Sequence, residues 1–433
     1  MSLSRQQILE SIPTEFDYFE SKQIQAAIVN EFDRWYQPSS LQPGAPIEFD
    51  VKGSDDLFLD LNSSKLEVKC KITNADGSDI ANDAPVGPVD LALSSLFQSI
   101  EMDICGKTIS SQNTLQPYRA FMEKKLSFDS QICKTRLLAE GWMNDTPGHM
   151  DDFRLGDPGH NDGFKKRVHQ WRGSRTVTLI GRPHVDLFHQ NLNIPPSCSI
   201  RMRFLPVQQD FFIKRSEADR DHHYRYEIQS ARLWVRTKQV SPNFLLAQET
   251  MLRRENARIP FTKVEMKTAT IPNGLSAISL DNLYTGTLPE RVSVLFIGDN
   301  RINGHTGRNP FAFEHFNLSH VAMLVNGEQL PRVAYQPDFE HGDYLREYLG
   351  MLEGLGLDTG NRSIALTPND WAENFPVFIF RLTPGGLPSI PKTGSVRLDL
   401  KFSQPTPRNI IALFYSEVPT LLEIDKDRNA TIA

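Results

Sequence analysis

The chain has 433 residues, 39% hydrophobic and 23% charged, with 28 prolines, 26 glycines and 26 phenylalanines. Such a composition buries sizeable cores and excludes a disordered or fibrous chain, and the length suits two or three domains. A net charge of −6 excludes a protein that wraps nucleic acid with its whole surface, and the short runs Lys165-Lys166-Arg167 and Arg253-Arg254 read as solvated faces.

Cys70, Cys105, Cys133 and Cys198 share no short spacing, which points away from a zinc site or a disulfide framework and toward a reducing compartment. The start Met1-Ser2-Leu3-Ser4-Arg5 carries no apolar signal region, and no stretch nears 18 uncharged apolar residues. The expectation is a chain that is not secreted and has no transmembrane segment.

In chain order, the first segment reads as a helical arm, residues 1–43. Ile8, Leu9, Ile12, Phe16, Phe19, Ile24, Ile28 and Phe32 recur mostly at three- and four-residue steps, interrupted by Pro13. Residues Pro38 to Gly44 read as its linker. The arm has six acidic against three basic residues, which suits protein partners better than DNA or a membrane surface.

From residue 44 the period becomes two. Ile47–Val51, Leu57–Leu61, Leu66–Ile72, Ile100–Ile104, Val177–Ile180, Ile200–Leu205 and Ile228–Val235 alternate apolar with polar residues and are separated by Gly, Pro and Asn turns. That rhythm predicts an antiparallel sandwich or barrel rather than a parallel βαβ sheet. Within each strand the apolar set, such as Ile200, Met202 and Phe204, should point between two sheets. A helix is expected at Tyr118–Leu126, and Gly148–Gly173 reads as a weakly patterned variable loop.

Ser241-Pro242 opens a helical connector, 243–257, with Pro at the first helical position. A second β-rich block follows over 258–433, so the first spans 44–242. The blocks resemble each other. Ser99–Ile109 matches His320–Leu330 as strand, Gly turn and resumed strand, each with a helix to follow. Ile180-Gly181-Arg182 ahead of Ser199–Phe204 matches Ile379-Phe380-Arg381 ahead of Ser395–Leu400. Two pairs in the same order indicate two similarly built β domains.

No activated nucleophile, metal-ligand spacing or phosphate-cradling loop stands out among these residues. The eleven histidines are scattered. His184 and Asp186 would share a strand face, but without a third spaced ligand they read as a turn histidine and a solvated carboxylate. The expectation is therefore no catalytic residues, no cofactor and no metal. Three classes stay open on the residues alone: a shell or scaffold protein, a sugar-binding or cupin-like β protein, and a glycan-processing enzyme whose acid pair is invisible in sequence.

Several stretches resemble the major capsid protein of the Polinton/Maverick and adintovirus group, a double jelly-roll (hexon-like) lineage. They are Gly44–Phe49, Ile72–Asp79, Gly87-Pro88-Val89, Ser95-Leu96-Phe97, Pro117–Ala120, Pro260–Pro272, Asn309-Pro310-Phe311, Gln336–Glu340, Thr393–Leu398 and Glu423–Asn429. The resemblance is colinear and spans residues 44 to 433.

It implies an all-β fold of two tandem eight-stranded jelly rolls with a short helical arm. It also implies a homotrimeric, pseudo-hexagonal capsomer of an icosahedral double-stranded DNA virus or virus-like element. The protein would be located in the virion shell, made inside the host cell, and partnered by itself, penton and minor capsid proteins without specific nucleic-acid recognition. Candidate subunit-interface residues are Asn309, Pro310, Phe311, Phe313, Gln336, Pro337, Asp338 and Phe339. The alternative is a β-sandwich carbohydrate-binding or glycan-processing protein.

Overall fold

A computed structural model describes residues 27–110, 114–156, 160–359, 362–382 and 393–432. The strand order in its sheets follows directly from the alternating segments. The first set is β1 (Ile28–Tyr36), β2 (Ile47–Val51), β3 (Leu57–Asn74), β4 (Phe97–Ile104), β5 (Lys107–Ser110), β6 (Val177–Gly181), β7 (Ile200–Pro206) and β8 (Tyr224–Val240). They form two antiparallel four-stranded sheets, ordered β1-β8-β3-β6 and β2-β7-β4-β5.

The second set is β9 (Ala257–Ile271), β10 (Ala277–Thr287), β11 (Arg291–Gly298), β12 (Leu318–Val325), β13 (Glu328–Tyr335), β14 (Phe378–Arg381), β15 (Thr393–Phe402) and β16 (Ile410–Ile424). Its sheets run β9-β16-β11-β14 and β10-β15-β12-β13. Adding eight to every label of the first set reproduces the second, so each set is an eight-stranded jelly roll of the same connectivity.

The repeat seen in the sequence falls on equivalent elements: hairpin β4–β5 with β12–β13, and strands β6 and β7 with β14 and β15. Each hairpin turns through two residues with positive φ, Cys105 (49°) and Gly106 (76°) in one, Asn326 (52°) and Gly327 (86°) in the other. Two left-handed residues in succession match the twist of the flanking strands, which is why a Gly stands at the second position of both.

Strand β7 shows how the alternation becomes a core. Ile200, Met202 and Phe204 are buried, with Phe204 packed edge-on against Phe49 at 5.7 Å and against Phe97 at 5.1 Å. Arg201 and Arg203 point the other way, where Glu48 and Glu101 receive them. The sequence assigned this strand to the correct face.

Three local expectations are corrected. Ile28 and Phe32 do not continue a helix: they lie in β1, which pairs with β8 from Ile28↔Val240 to Tyr36↔Leu233. Arg236 of β8 fixes the pairing through Asp33 at 2.5 Å and Glu31 at 2.9 Å. The first roll's outermost strand thus comes from the segment read as arm, because the open edge of β8, some 200 residues later, offers backbone partners that an isolated short helix lacks. The remaining arm positions, Ile8, Leu9, Ile12, Phe16, Phe19 and Ile24, lie outside the described residues.

The Gly148–Gly173 segment, read as a loop, contains a helix at Asp162–Trp171, capped by the Asn161 side chain and burying Phe164, Arg167 and Trp171. His184 and Asp186, read as a turn histidine and a solvated carboxylate, do lie just beyond β6, with Asp186 opening a short 3-10 turn, but the carboxylate is buried rather than solvated. The helix after β5 is present at Gln116–Ser127 (α1), and that after β13 at Leu345–Leu355. Ser241 caps the connecting helix Pro242–Leu252 through the Phe244 amide.

Candidate functional site

The side chains with the most unusual surroundings lie between the two rolls, and α1 carries several of them. Arg119, on the buried face of this helix, donates from Nε to Glu123 Oε1 at 2.8 Å and from Nη2 to Asp186 Oδ1 at 2.6 Å. The same Asp186 oxygen accepts the Val264 amide of β9 at 3.2 Å. Tyr415 of β16 reaches Glu123 Oε1 at 3.4 Å. One guanidinium thereby ties a helix, a turn and the facing sheet of the other roll.

The second oxygen of Glu123 meets His184 Nδ1 closely and lies 3.8 Å from His189 Nε2. Burial opposes charge on Glu123, but Arg119 and the two histidines outweigh it and hold the carboxyl well below the usual range. Burial pushes Asp186 up, against the pull of Arg119. It also lowers His184, and lowers His189 to about 3, although Glu123 draws both upward.

Two imidazoles and a carboxylate whose ligand atoms lie within 4.8 Å of one another form a donor set that divalent cations use. Here the carboxylate already pairs with Arg119, and Lys124 and Arg182 border the same cleft of about 380 Å³. Three fixed cations beside the donors disfavour a fourth. The carboxylate is thus taken up in an ion-pair network, while His184 Nε2 is buried with no hydrogen-bond partner among the described residues. A second grouping, His149, Asp152 and His160, has its carboxylate held by Arg154 through two bonds of 2.9 Å.

The other half of the seam is aromatic. Phe311 stacks on Phe121 at 4.3 Å and 11°, with Tyr118 at 5.7 Å and Phe211 at 6.2 Å. Asn309 is fully buried. It donates to Asp145 Oδ2 at 2.6 Å, while its own amide reaches Asp151 at 2.7 Å. Arg167 closes on Asp145 at 2.5 Å and on the Pro88 carbonyl at 2.8 Å, and Arg301 closes on Asp151 at 2.7 Å.

Lys214 is also fully buried, its ammonium held by the Asp210 and His305 carbonyls at 2.9 Å each, and burial pushes its pKa down to about 7.

The candidate interface residues therefore divide. Asn309, Pro310, Phe311 and Phe313 are buried within one chain, where they join its two rolls, so they are not exposed to a neighbouring subunit. Gln336 and Asp338 are exposed, Phe339 is half-buried against His315, and Pro337 is buried. Arg119, Glu123, Asp145 and Asp151 went unnoticed in the sequence. Glu123 and His184 are 61 positions apart and Asp145 and Asn309 are 164, so no local spacing could reveal them.

Two jelly rolls of identical strand order in a single chain define the double jelly-roll class, the fold of hexon-like capsid proteins. No protein-family model matches the chain. It is similar to a chain in the cryo-electron-microscopy structure of the Sputnik virophage, with a TM-score of 0.66 at 11% identity over 98% of this chain and 93% of that one.

It is also similar to the mavirus major capsid protein, at TM-score 0.56 and 11% identity over 100% and 97% of the two chains. For the faustovirus major capsid protein the values are 0.57, 10%, 97% and 93%. An uncharacterized protein of Caenorhabditis elegans, F54H12.2, is 20% identical over 411 residues, 91% of this chain and 94% of that protein.

Proposed function

We propose that this chain is the major capsid protein of an icosahedral double-stranded DNA virus or virus-like element of Polinton/Maverick type, a structural subunit without catalytic activity. The observation that carries this reading is the whole-chain match of both rolls and their connection to capsid proteins, including 100% of this chain against the mavirus major capsid protein. Three copies of a chain with two similar rolls present six similar corners, so a homotrimer fills a pseudo-hexagonal position.

The rolls act as domains 44–242 and 258–433, joined by 243–257, with the first extended at its start to include β1. Gln336, Asp338 and Phe339 are the candidate surface for a neighbouring subunit, and residues 1–26 are the candidate contact to adjacent capsomers, penton or minor proteins. Synthesis within a host cell and residence in the virion shell follow from the same reading.

The buried acids support a structural role. Glu123 and Asp186 share Arg119, which leaves neither as the free carboxyl that glycoside hydrolysis needs. The seam aromatics are buried, whereas a sugar platform presents its rings to solvent.

Light scattering on the purified chain tests the proposal. We expect a species about three times the 49.2 kDa monomer, with pseudo-hexagonal rings in negative stain. A monomer persisting at micromolar concentration overturns it.

A further inference from the structure

We propose that the connecting helix Pro242–Leu252 is a docking surface for residues 14–26 of its own chain, which lie antiparallel along it. The helix is apolar yet uncovered. Phe244, Leu245, Leu246, Ala247, Met251 and Leu252 make up half of it, and none of its residues is buried. Leu246 is 69% exposed, Met251 51% and Phe244 36%. Its ties to the rolls are slight: the Phe244 ring lies 6.5 Å from that of Phe58, and Glu249 pairs with Arg428. Eleven residues are fewer than the ~12–15 at which an isolated helix becomes marginal in water, so this helix needs a packed face as well as its Ser241 cap.

The chain itself delivers a cover to the right place. The described residues open at Ala27, whose carbonyl accepts the Ser241 amide at 2.8 Å. The segment before Ala27 therefore arrives at the N-terminal end of the helix, where Val29 of β1 is also exposed. Within that segment Phe16, Phe19 and Ile24 are spaced for one side of a helix. At about 1.5 Å per residue the connecting helix is about 16 Å long, and the twelve steps from Ala27 back to Glu15 cover about 18 Å. The lengths match. Ile24 would lie near Phe244 and Leu246, and Phe19 and Phe16 near Met251.

Charge fits the same register. Residues 14–26 carry Glu15, Asp17 and Glu20 against Lys22. Beyond the last turn of the helix stand Arg253 and Arg254, both exposed, a net positive end even with Glu255 beside them. Antiparallel docking brings Glu15 and Asp17 abreast of the two arginines. The tether at Ala27 holds the segment at an effective concentration on the order of mM, an advantage that the same segment of a second copy lacks in dilute solution.

The cover forms within one chain, so it holds whether that chain assembles as a trimer or stays single. Residues 1–13 remain available to the neighbours proposed above. Because no residue of the helix is buried in either roll, covering it leaves the melting of the rolls in place.

Hydrogen exchange on the full chain, read by mass spectrometry, is the test. Peptides covering 242–252 and 14–26 should both exchange slowly. Deleting residues 1–26 should speed exchange in the helix severalfold, and Phe16→Asp with Phe19→Asp should do the same. Leu246→Asp, at an exposed position that the rolls do not need, should speed exchange in 14–26. A chain carrying Glu15→Cys and Arg254→Cys should oxidise to a link within one molecule, running as a monomer on a non-reducing gel. Fast exchange of 14–26 in the full chain, a helix indifferent to the deletion, or linked dimers in place of the intramolecular link would each overturn the proposal.

Discussion

Truncating Phe311 to Ala should show that the two rolls are held together by side chains that no neighbouring subunit supplies. Phe311 is fully buried, with its ring stacked on Phe121 at 4.3 Å and edged by Tyr118 and Phe211. Emptying such a site removes the transfer free energy of the ring and leaves a cavity that rigid neighbours cannot fill, about 3–5 kcal/mol for a buried Phe. For a cooperative unit of roughly 200 residues this lowers the melting temperature by on the order of 10 °C.

The same magnitude is expected for Phe204→Ala, whose ring lies inside the first roll. The two variants should differ in form. Phe204→Ala should lower the transition of its own roll, whereas Phe311→Ala should separate the unfolding of the rolls in calorimetry. A double-mutant cycle of Phe121→Leu and Phe311→Leu should return about 0.5–1.5 kcal/mol of coupling for the stacked pair. A Phe311→Ala protein that melts with wild type, or a cycle with no coupling, would refute the reasoning.

The charged half of the seam gives further expectations. Arg119→Met strands Glu123 and Asp186 in a buried setting and should cost about 3–5 kcal/mol in urea denaturation, with part of the loss recovered by adding Asp186→Asn. Folding holds His184 and His189 below their ordinary 6.5, so below that pH the unfolded chain binds more protons than the folded one. Stability should fall as pH drops from 6.5, and further as Glu123 is protonated below 4.5, a trend that flat denaturant midpoints would contradict. Lys214 is lowered from 10.5 to about 7, so the fold should gain up to about 1.4 kcal/mol per pH unit as pH rises across that window. Lys214→Met should abolish this gain. Deleting residues 1–26 should leave melting unchanged and impair particle closure, whereas deleting 1–36 also strips β1 from β8 and should lower the melting temperature.

What the sequence determined by itself was the architecture at the level of periodicity. Alternation set the faces of strands such as β7, the two Gly-bearing turns marked equivalent hairpins, and Ser241-Pro242 announced the connecting helix, because each of these is decided by residues within a few positions of one another. Tertiary structure decided the rest. Ile28–Tyr36 has helical spacing in isolation and becomes a strand because β8 has an open edge beside it. Asn309, Phe311 and Phe313 looked like surface for a partner, yet α1 and the 142–171 segment of the same chain cover them. Glu123, His184 and His189 form one network only because α1 and the turn after β6 pack together. Charges and rings far apart in sequence leave no periodic signal, since their interaction depends on distance in space, and distance in space is set by the packing of the finished rolls.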